Sequence, residues 1–251
     1  MSDSLLDFAP VTRHGRVCVV TMSYPERRNA FSTPMRESLV ARLEHLMFED
    51  VECRAVVLTG AAGTFCAGGD LSEMKERPIV DGRQVFDLAR AVVRLLATGP
   101  KPVVAAVEGH AFGAGLSLAC ATDYIVATPA TKFCAAFLKV GLIPDTGIFW
   151  TLPKRVGASK ARELMMLATE VGGEEALRIG LVNQLADQGA AVAAAVKVAE
   201  AMARQPREAL AYLRVALGQG SETPDGALRA EVDYGAALRR DRLIQTSSFQ
   251  G

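Results

Sequence analysis

The sequence lacks an excess of charge of either sign, since 28 lysine and arginine residues balance 28 aspartate and glutamate residues in a chain of 251. A neutral chain has no net field to attract a nucleic-acid backbone or an anionic membrane surface, so we expect neither as a partner. No apolar run approaches the roughly 18 residues that a membrane span requires. The N-terminal MSDSLLDFAP has neither the basic nor the apolar segment of a secretory leader. These absences predict a cytoplasmic protein.

Cysteine and histidine are also scarce. The five cysteines form no CxxC pair and are odd in number, which predicts buried free thiols rather than a disulfide framework. The three histidines are scattered, so we expect no metal site. The sequence has no GxGxxG after a strand, no GxxxxGK[ST], no GxSxG and no HExxH. Nucleotide-dependent, serine-hydrolase and zinc mechanisms are therefore excluded as first hypotheses.

Strand and helix patterns alternate along the first two-thirds of the chain. Apolar runs predict strands over residues 15–22, 54–60 and 102–109, and DYIVAT predicts a further strand. Thr33 followed by Pro34 predicts a helix start, and apolar spacing predicts helices over 81–98 and 190–204. After Pro153 helical composition dominates. We predict an α/β fold with a core over 1–195 and a helical C-terminal region over 196–251.

Two glycine-rich loops follow buried strands. FCAGGD spans 65–70 after RAVVLTG, and EGHAFGAGLSL spans 108–118 after PVVAAV. Small residues between a strand end and a helix start leave backbone N–H groups free to face a ligand oxygen. Two such loops on neighbouring strands could direct two donors at one carbonyl, as in an oxyanion hole. The residues alone equally allow glycines that only permit tight turns and close packing.

With these loops in place, the chain resembles the crotonase, or enoyl-CoA hydratase/isomerase, superfamily over about 16–185. The matching segments are YPERRNAF, RAVVLTGAAGTFCAGGDL, KPVVAAVEGHAFGAGLSLACATDYIVA, FLKVGLIPDTG, LPKRVGASKARELMMLA and EEALRIGLVNQL. The resemblance implies a spiral of ββα units and a helical C-terminal region that builds trimers or dimers of trimers. It also implies an enzyme that binds acyl-CoA thioesters and stabilises an enolate, with coenzyme A as part of the substrate and no separate cofactor.

The same resemblance implies the site residues. The oxyanion donors would be the backbone N–H groups of Ala67 and Ala114, and Asp70 would brace its loop without doing chemistry. The residues implied to line the path of the CoA are Arg28, Ala30, Ala67, Gly68, Gly69, Asp70, Leu71 and Ala114.

The acid and base residues of the family's hydratases are missing. Those enzymes use two glutamates, and the matching positions here hold Ser117 and Phe137. Syn addition of water needs one group to activate the water and one to supply the α-proton, and neither side chain can do either. The resemblance therefore favours isomerase chemistry over hydration.

Asp145, in GLIPDTG, is the remaining acid/base candidate. Isomerase-type members of the family use an aspartate there, and a dehalogenase branch uses one as a nucleophile. Aspartate is also a favoured helix cap, so a purely structural role is the alternative. Apolar neighbours such as Phe137 and Ile143 would raise its pKa toward the range useful for proton transfer.

Three functions follow as hypotheses. The first is an enoyl-CoA isomerase with Asp145 as acid and base, and the second is an enoyl-CoA hydratase. The third is a non-catalytic acyl-CoA-binding member of the family. The sequence does not specify the acyl group.

Overall fold

A computed structural model describes residues 7–73, 79–219 and 223–247. The strands are β1 (Val11–His14), β2 (Val17–Met22), β3 (Ala55–Gly60), β4 (Val103–Val107), β5 (His110–Phe112), β6 (Tyr124–Ala127), β7 (Lys132–Cys134), β8 (Val171–Gly172) and β9 (Gln184–Leu185). The helices are α1 (Thr33–Glu44), α2 (Ile79–Thr98), α3 (Ala114–Cys120), α4 (Ile148–Leu167), α5 (Gly173–Arg178), α6 (Ala191–Ala203), α7 (Arg207–Gln219) and α8 (Pro224–Ser247).

The larger sheet has the strand order β1-β2-β3-β4-β6-β9. Strands β2, β3, β4, β6 and β9 run parallel, and β1 joins the edge antiparallel to β2. All five residues of β4 are buried, as expected for a parallel strand covered on both faces. The structure confirms the four predicted strands, with ends that differ by up to two residues.

A smaller sheet, β5-β7-β8, forms a second layer. Isolated parallel bridges continue this layer from Ala111 to Cys66 and from Gly69 to Phe31. The chain passes repeatedly from the large sheet to this layer and back, which produces the expected spiral. Segments of two or three residues carry too little alternation to be predicted from sequence.

Helices cover both faces of the large sheet. Along β2, Val17 and Val19 pack with α6, while Cys18 and Val20 belong to the cluster that includes residues of α1 and α2. Helix α6 presents an alanine every four residues to the sheet, so it lies close to the strands. The boundary at 195/196 falls inside this helix, and the division into 1–195 and 196–251 stays a prediction.

A buried arginine anchors the C-terminal helices to the core. Arg214, on α7, forms an ion pair of 2.9 Å with Asp123 and donates a hydrogen bond of 2.6 Å to the carbonyl of Leu96. It also donates to the carbonyls of Gly99 and Lys101. A buried guanidinium is stable here because its donors meet acceptors.

Two further expectations have outcomes in the fold. The N-cap of α1 is Ser32 rather than Thr33, with Pro34 in the first turn as predicted. All five cysteines are free and buried, which confirms the expectation for them. Among the helices of the described ranges, none combines the length and hydropathy needed to cross a bilayer.

Candidate active site

The two glycine-rich loops lie side by side beyond the ends of β3 and β4. Phe65 N–H donates to the carbonyl of Glu108 at 2.9 Å, and Cys66 N–H donates to that of His110 at 2.9 Å. In return, Phe112 N–H donates to the carbonyl of Cys66 at 3.0 Å. The loops meet because neighbouring parallel strands end at the same sheet edge.

Glycine is required where these loops touch. A Cβ on Gly115 would lie 2.3 Å from the carbonyl oxygen of Cys66, a distance that no side chain can occupy. Gly113 has φ +50° and ψ −117°, a conformation that side chains strongly disfavour. The glycines are therefore required for tight turns and close packing, and this close packing is what brings the two loops together.

The backbone N–H groups of the first loop have different hydrogen-bond acceptors. The N–H of Ala67 donates to the carbonyl of Arg28 at 3.1 Å, and the role expected of Ala67 as an oxyanion donor stays a prediction. Gly68 N–H faces the Cys66 sulfur at 3.5 Å. Within the described residues the N–H of Gly69 has no hydrogen-bond acceptor, and a Cβ built on Gly69 meets no atom within 4 Å. Gly69 is therefore a second candidate donor on the first loop.

The second loop supplies Ala114 as expected. It is the first residue of α3, and its N–H has no acceptor in the part of the chain that the structure describes. A Cβ built on Gly68 would lie 4.0 Å from the Ala114 nitrogen, so the two loops are in contact at this point. One free N–H on each of two touching loops is the arrangement that can hold a carbonyl oxygen as charge develops on it.

Arg28 and Ala30 lie against the first loop, as expected for an adjoining wall. Besides the Arg28–Ala67 bond, Phe31 N–H donates to the carbonyl of Gly68 at 2.8 Å. Arg28 is exposed and Ala30 is buried. The segment thus joins the first loop through main-chain bonds while leaving the Arg28 side chain in solvent.

Asn29 fixes this wall and was missed by sequence reasoning. Its side chain is buried, accepts the N–H of Tyr24 at 2.8 Å, and donates to the carbonyls of Ala61 (2.9 Å) and Thr64 (2.6 Å). Its φ of +55° is a left-handed conformation that asparagine tolerates better than most residues. The preference of asparagine for such left-handed turns is the only local sequence feature that could have indicated this role of Asn29.

Asp70 braces its loop. Its Oδ1 accepts the Ser72 hydroxyl at 2.6 Å and the Ser72 N–H at 2.9 Å. The Ser72 hydroxyl bond is the main reason that the pKa of Asp70 lies below its ordinary value. Leu71 begins the short 3-10 helix Leu71–Glu73, and 57% of its surface is exposed. Leu71 therefore adds an exposed apolar side chain at the end of the first loop.

Ser117 and Phe137 occupy the neighbourhood of the second loop. Ser117 is fully buried, and its Oγ lies 3.3 Å from the carbonyl oxygen of Gly113 and 3.2 Å from that of Asp145. Phe137 is buried, and a Cβ on Gly113 would lie 3.9 Å from its ring. Neither residue brings a carboxylate to this position.

Asp145 is not a helix cap. Helix α4 begins after Gly147, which is its N-cap and makes no side-chain capping bond. The Asp145 carboxylate instead accepts the Thr146 hydroxyl at 2.7 Å. Burial is the largest influence on the pKa of Asp145 and raises it above its ordinary value. Ile143, expected to help bury it, is itself 73% exposed, so the apolar surround is only partial within the chain.

A partly buried ion pair adjoins the first loop, and sequence reasoning missed it too. Arg36 pairs with Glu73 at 3.2 Å, and Glu73 also accepts the Thr33 N–H at 2.7 Å. The Arg36 guanidinium lies 4.9 Å from the centre of the Phe31 ring. Its charge partly offsets the rise that burial causes in the pKa of Asp145, and it adds to the lowering of the Asp70 pKa that comes chiefly from Ser72. Because the partners lie 37 residues apart, no local pattern could reveal the pair.

Residues 7–73, 79–219 and 223–247 contain no cluster that could hold a metal ion, if such a cluster is taken as three or more histidine, cysteine, aspartate or glutamate side chains.

The fold and the loops define a class: an α/β spiral in which two touching strand-to-helix loops present free backbone donors. The family model for enoyl-CoA hydratase/isomerase matches residues 12–236. The chain therefore belongs to the enoyl-CoA hydratase/isomerase, or crotonase, superfamily, as the resemblance implied.

Individual relatives carry different activities in their names. The chain is 36% identical to 1,2-epoxyphenylacetyl-CoA isomerase of Escherichia coli over 223 residues, which cover 87% of this chain and 85% of that protein. It is 32% identical to short-chain-enoyl-CoA hydratase of Clostridium acetobutylicum, covering 84% and 80%. An enoyl-CoA hydratase structure from Polaromonas sp. JS666 superposes with a TM-score of 0.85 at 33% identity, covering 91% and 90%.

Proposed function

We propose that this protein is an enoyl-CoA isomerase that shifts a double bond through a thioester enolate, with Asp145 as the acid and base. The observation that carries the proposal is the state of Asp145. Its carboxylate is partly buried, does not cap α4, and belongs to a turn that Ser117 links to the second loop. A carboxyl with a raised pKa is suited to accept and return a proton near neutral pH.

The proton stays with one carboxylate in this mechanism. Ionised Asp145 takes a proton from C2 of a 3-enoyl thioester, and the C–H electron pair delocalises onto the thioester oxygen. The N–H groups of Ala114 and of one first-loop residue stabilise that oxygen. Ala67 is the first-loop donor that the family resemblance implies, and Gly69 is the alternative because the Ala67 N–H donates to the Arg28 carbonyl. Protonated Asp145 then delivers the proton to C4, the double bond moves to C2–C3, and the carboxylate is regenerated.

The substrate is proposed to be a CoA thioester, with coenzyme A as part of the substrate and no separate cofactor. The wall formed by Arg28, Ala30 and 67–71 would carry the CoA portion, so free acids should bind much more weakly. Titration of one acid and its CoA ester tests this, and equal affinities would contradict it.

We further propose a homotrimer or a dimer of trimers working in the cytoplasm. The C-terminal helices α7 and α8 expose large apolar side chains that a second copy could cover. These are Leu213, Leu217, Leu228 and Val232. Light scattering at micromolar concentration tests the assembly, and a monomer would contradict it. The free thiols of all five cysteines are consistent with a reducing compartment.

The deciding experiment compares the protein with Asp145→Asn on a 3-enoyl-CoA, followed by the rise in absorbance of the conjugated product. We expect the variant to lose turnover by about 10²-fold or more while keeping its affinity for the thioester. Asp187→Asn, at an exposed position, is the matched control. Full turnover by Asp145→Asn would contradict the proposal.

Hydratase activity is the second candidate because relatives bear that name. It is disfavoured because Ser117 and Phe137 supply no carboxylate. Loss of the conjugated absorbance of crotonyl-CoA at an enzymatic rate would support it. Tight thioester binding with neither reaction would instead indicate a non-catalytic binding protein.

A further inference from the structure

The residue after Asp145 has an unusual conformation. Thr146 has φ +54°, in the left-handed region that β-branched residues rarely adopt. Gly147, which follows with φ +76°, is placed against Val93 of α2 so closely that a Cβ there would lie 2.9 Å from a Val93 methyl. The turn is thus fixed on one side by α2 and on the other by the Ser117–Asp145 bond to α3.

This conformation coincides with a short side-chain hydrogen bond. Thr146 Oγ1 donates to Asp145 Oδ1 at 2.7 Å, between adjacent residues. Among the described residues, Oδ2 of Asp145 has no hydrogen-bond donor. The two oxygens of the carboxylate are therefore inequivalent, with one held and one open.

We propose that Thr146 is a positioning residue that holds Oδ1 of Asp145, so that Oδ2 is the oxygen that exchanges the proton with the substrate. The proposal rests on the proposed function, in which Asp145 is the acid and base. It accounts for a β-branched residue in a left-handed turn, since the hydroxyl is needed next to the carboxylate.

The hydroxyl also acts on the pKa of Asp145. Burial raises the pKa of Asp145, whereas the Thr146 hydrogen bond lowers it by stabilising the carboxylate. The charged group that acts on it from a neighbouring element is Arg36 of α1, which is paired with Glu73. The neighbour from α3 is Ser117, which is uncharged and donates to the backbone carbonyl of Asp145. The Thr146 hydrogen bond thus reduces the rise in the Asp145 pKa that burial causes.

Three variants separate these contributions. Thr146→Val keeps the branched shape and removes the hydroxyl, so the acid limb of the pH profile of kcat/KM should move up by about one pH unit. Thr146→Ser keeps the hydroxyl and should restore the original profile. Thr146→Gly removes both the hydroxyl and the disfavoured conformation, so it should show the valine profile with an unchanged or higher Tm.

A second readout works without turnover. In protein carrying ¹³C-labelled aspartate, the carboxyl resonance of Asp145 should titrate about one pH unit higher in Thr146→Val than in the wild type. A shift in the resonance together with a shift in the rate profile supports the proposal. A Thr146→Val variant that matches the wild type in both would overturn it, as would a folded Thr146→Ser that behaves like Thr146→Val. A shifted resonance with an unshifted rate profile would instead overturn Asp145 as the base, and with it the proposed function.

Discussion

The hydroxyl of Ser117 lies 3.2 Å from the backbone carbonyl oxygen of Asp145. This contact joins the helix that begins at Ala114 to the turn that carries the candidate base. At the position where the family resemblance implies a glutamate in hydratases, this chain has Ser117, whose hydroxyl bonds to the backbone of the candidate acid/base residue. Position 117 therefore supplies no carboxylate itself, but its hydroxyl supports the turn that carries the Asp145 carboxylate.

We expect Ser117→Ala to lower isomerase kcat several-fold with little change in thioester affinity, because the Asp145 turn loses its bond to α3. One neutral hydrogen bond also contributes about 1 kcal/mol to stability. Thr122→Ala is the matched control, since it removes a buried hydroxyl bond of 2.8 Å to the Ala119 carbonyl in the segment that follows α3. Stability and kcat should fall together only in Ser117→Ala. Equal kinetics for the two variants would contradict the link.

Proline substitution tests the two proposed oxyanion donors, since proline removes the N–H itself. Ala114→Pro should reduce kcat by about 10²–10³-fold, and so should whichever of Ala67→Pro and Gly69→Pro removes the first-loop donor. Ala114 is the first residue of α3, where a helix tolerates proline. The controls are Ala114→Gly and Gly69→Ala, which keep the N–H. An added Cβ at 69 meets no atom within 4 Å, so both controls should be nearly silent. A large loss in Gly69→Ala would show that the loop itself had moved.

Asn29→Ala should destabilise the protein and weaken thioester binding. It leaves the Tyr24 N–H and the Thr64 carbonyl without their side-chain partner, while the Ala61 carbonyl still accepts the Thr64 N–H at 3.3 Å. Each unsatisfied buried group costs about 1–3 kcal/mol. Asn29→Asp keeps the acceptor for Tyr24 N–H but loses both donors, so its loss of stability should be of similar size. Urea unfolding and the KM for the thioester measure the two effects. Wild-type stability in Asn29→Ala would exclude this role.

The stability of Asp145 and Asp70 variants should depend on pH with opposite signs. The folded-state pKa of Asp145 is raised, mainly by burial, so the stability it contributes is fully present below the unfolded pKa and is lost as pH rises through the folded pKa. Asp145→Asn should therefore be more stable than the wild type at neutral pH, and this advantage should vanish in acid.

Asp70 provides the opposite case. Its pKa is lowered, chiefly by the Ser72 hydroxyl, so its contribution is present above the unfolded pKa and is lost as pH falls through the folded value. Asp70→Asn should be less stable than the wild type at neutral pH and converge with it in acid. Free energies of unfolding measured across the acid range check both, and curves of the same sign would refute the assignment.

The sequence by itself determined the elements with strong local patterns. Continuous apolar runs specified β2, β3 and β4, and helical spacing specified α2 and α6, because burial on both faces or on one stripe leaves a readable period. The glycine-rich loops and the family resemblance also directed attention to Ala114 and Asp145. The short strands β5, β7 and β8 carry no such period.

Tertiary structure alone decided which groups are free to act. The Ala67 N–H donates to a carbonyl 39 positions earlier in the chain, whereas the Gly69 N–H has no acceptor among the described residues. The N-cap of α4 is Gly147 and not Asp145. Asn29 and the Arg36–Glu73 pair each join segments that are distant in sequence. Hydrogen bonding is saturable, so a donor's availability depends on partners that only the folded chain brings near.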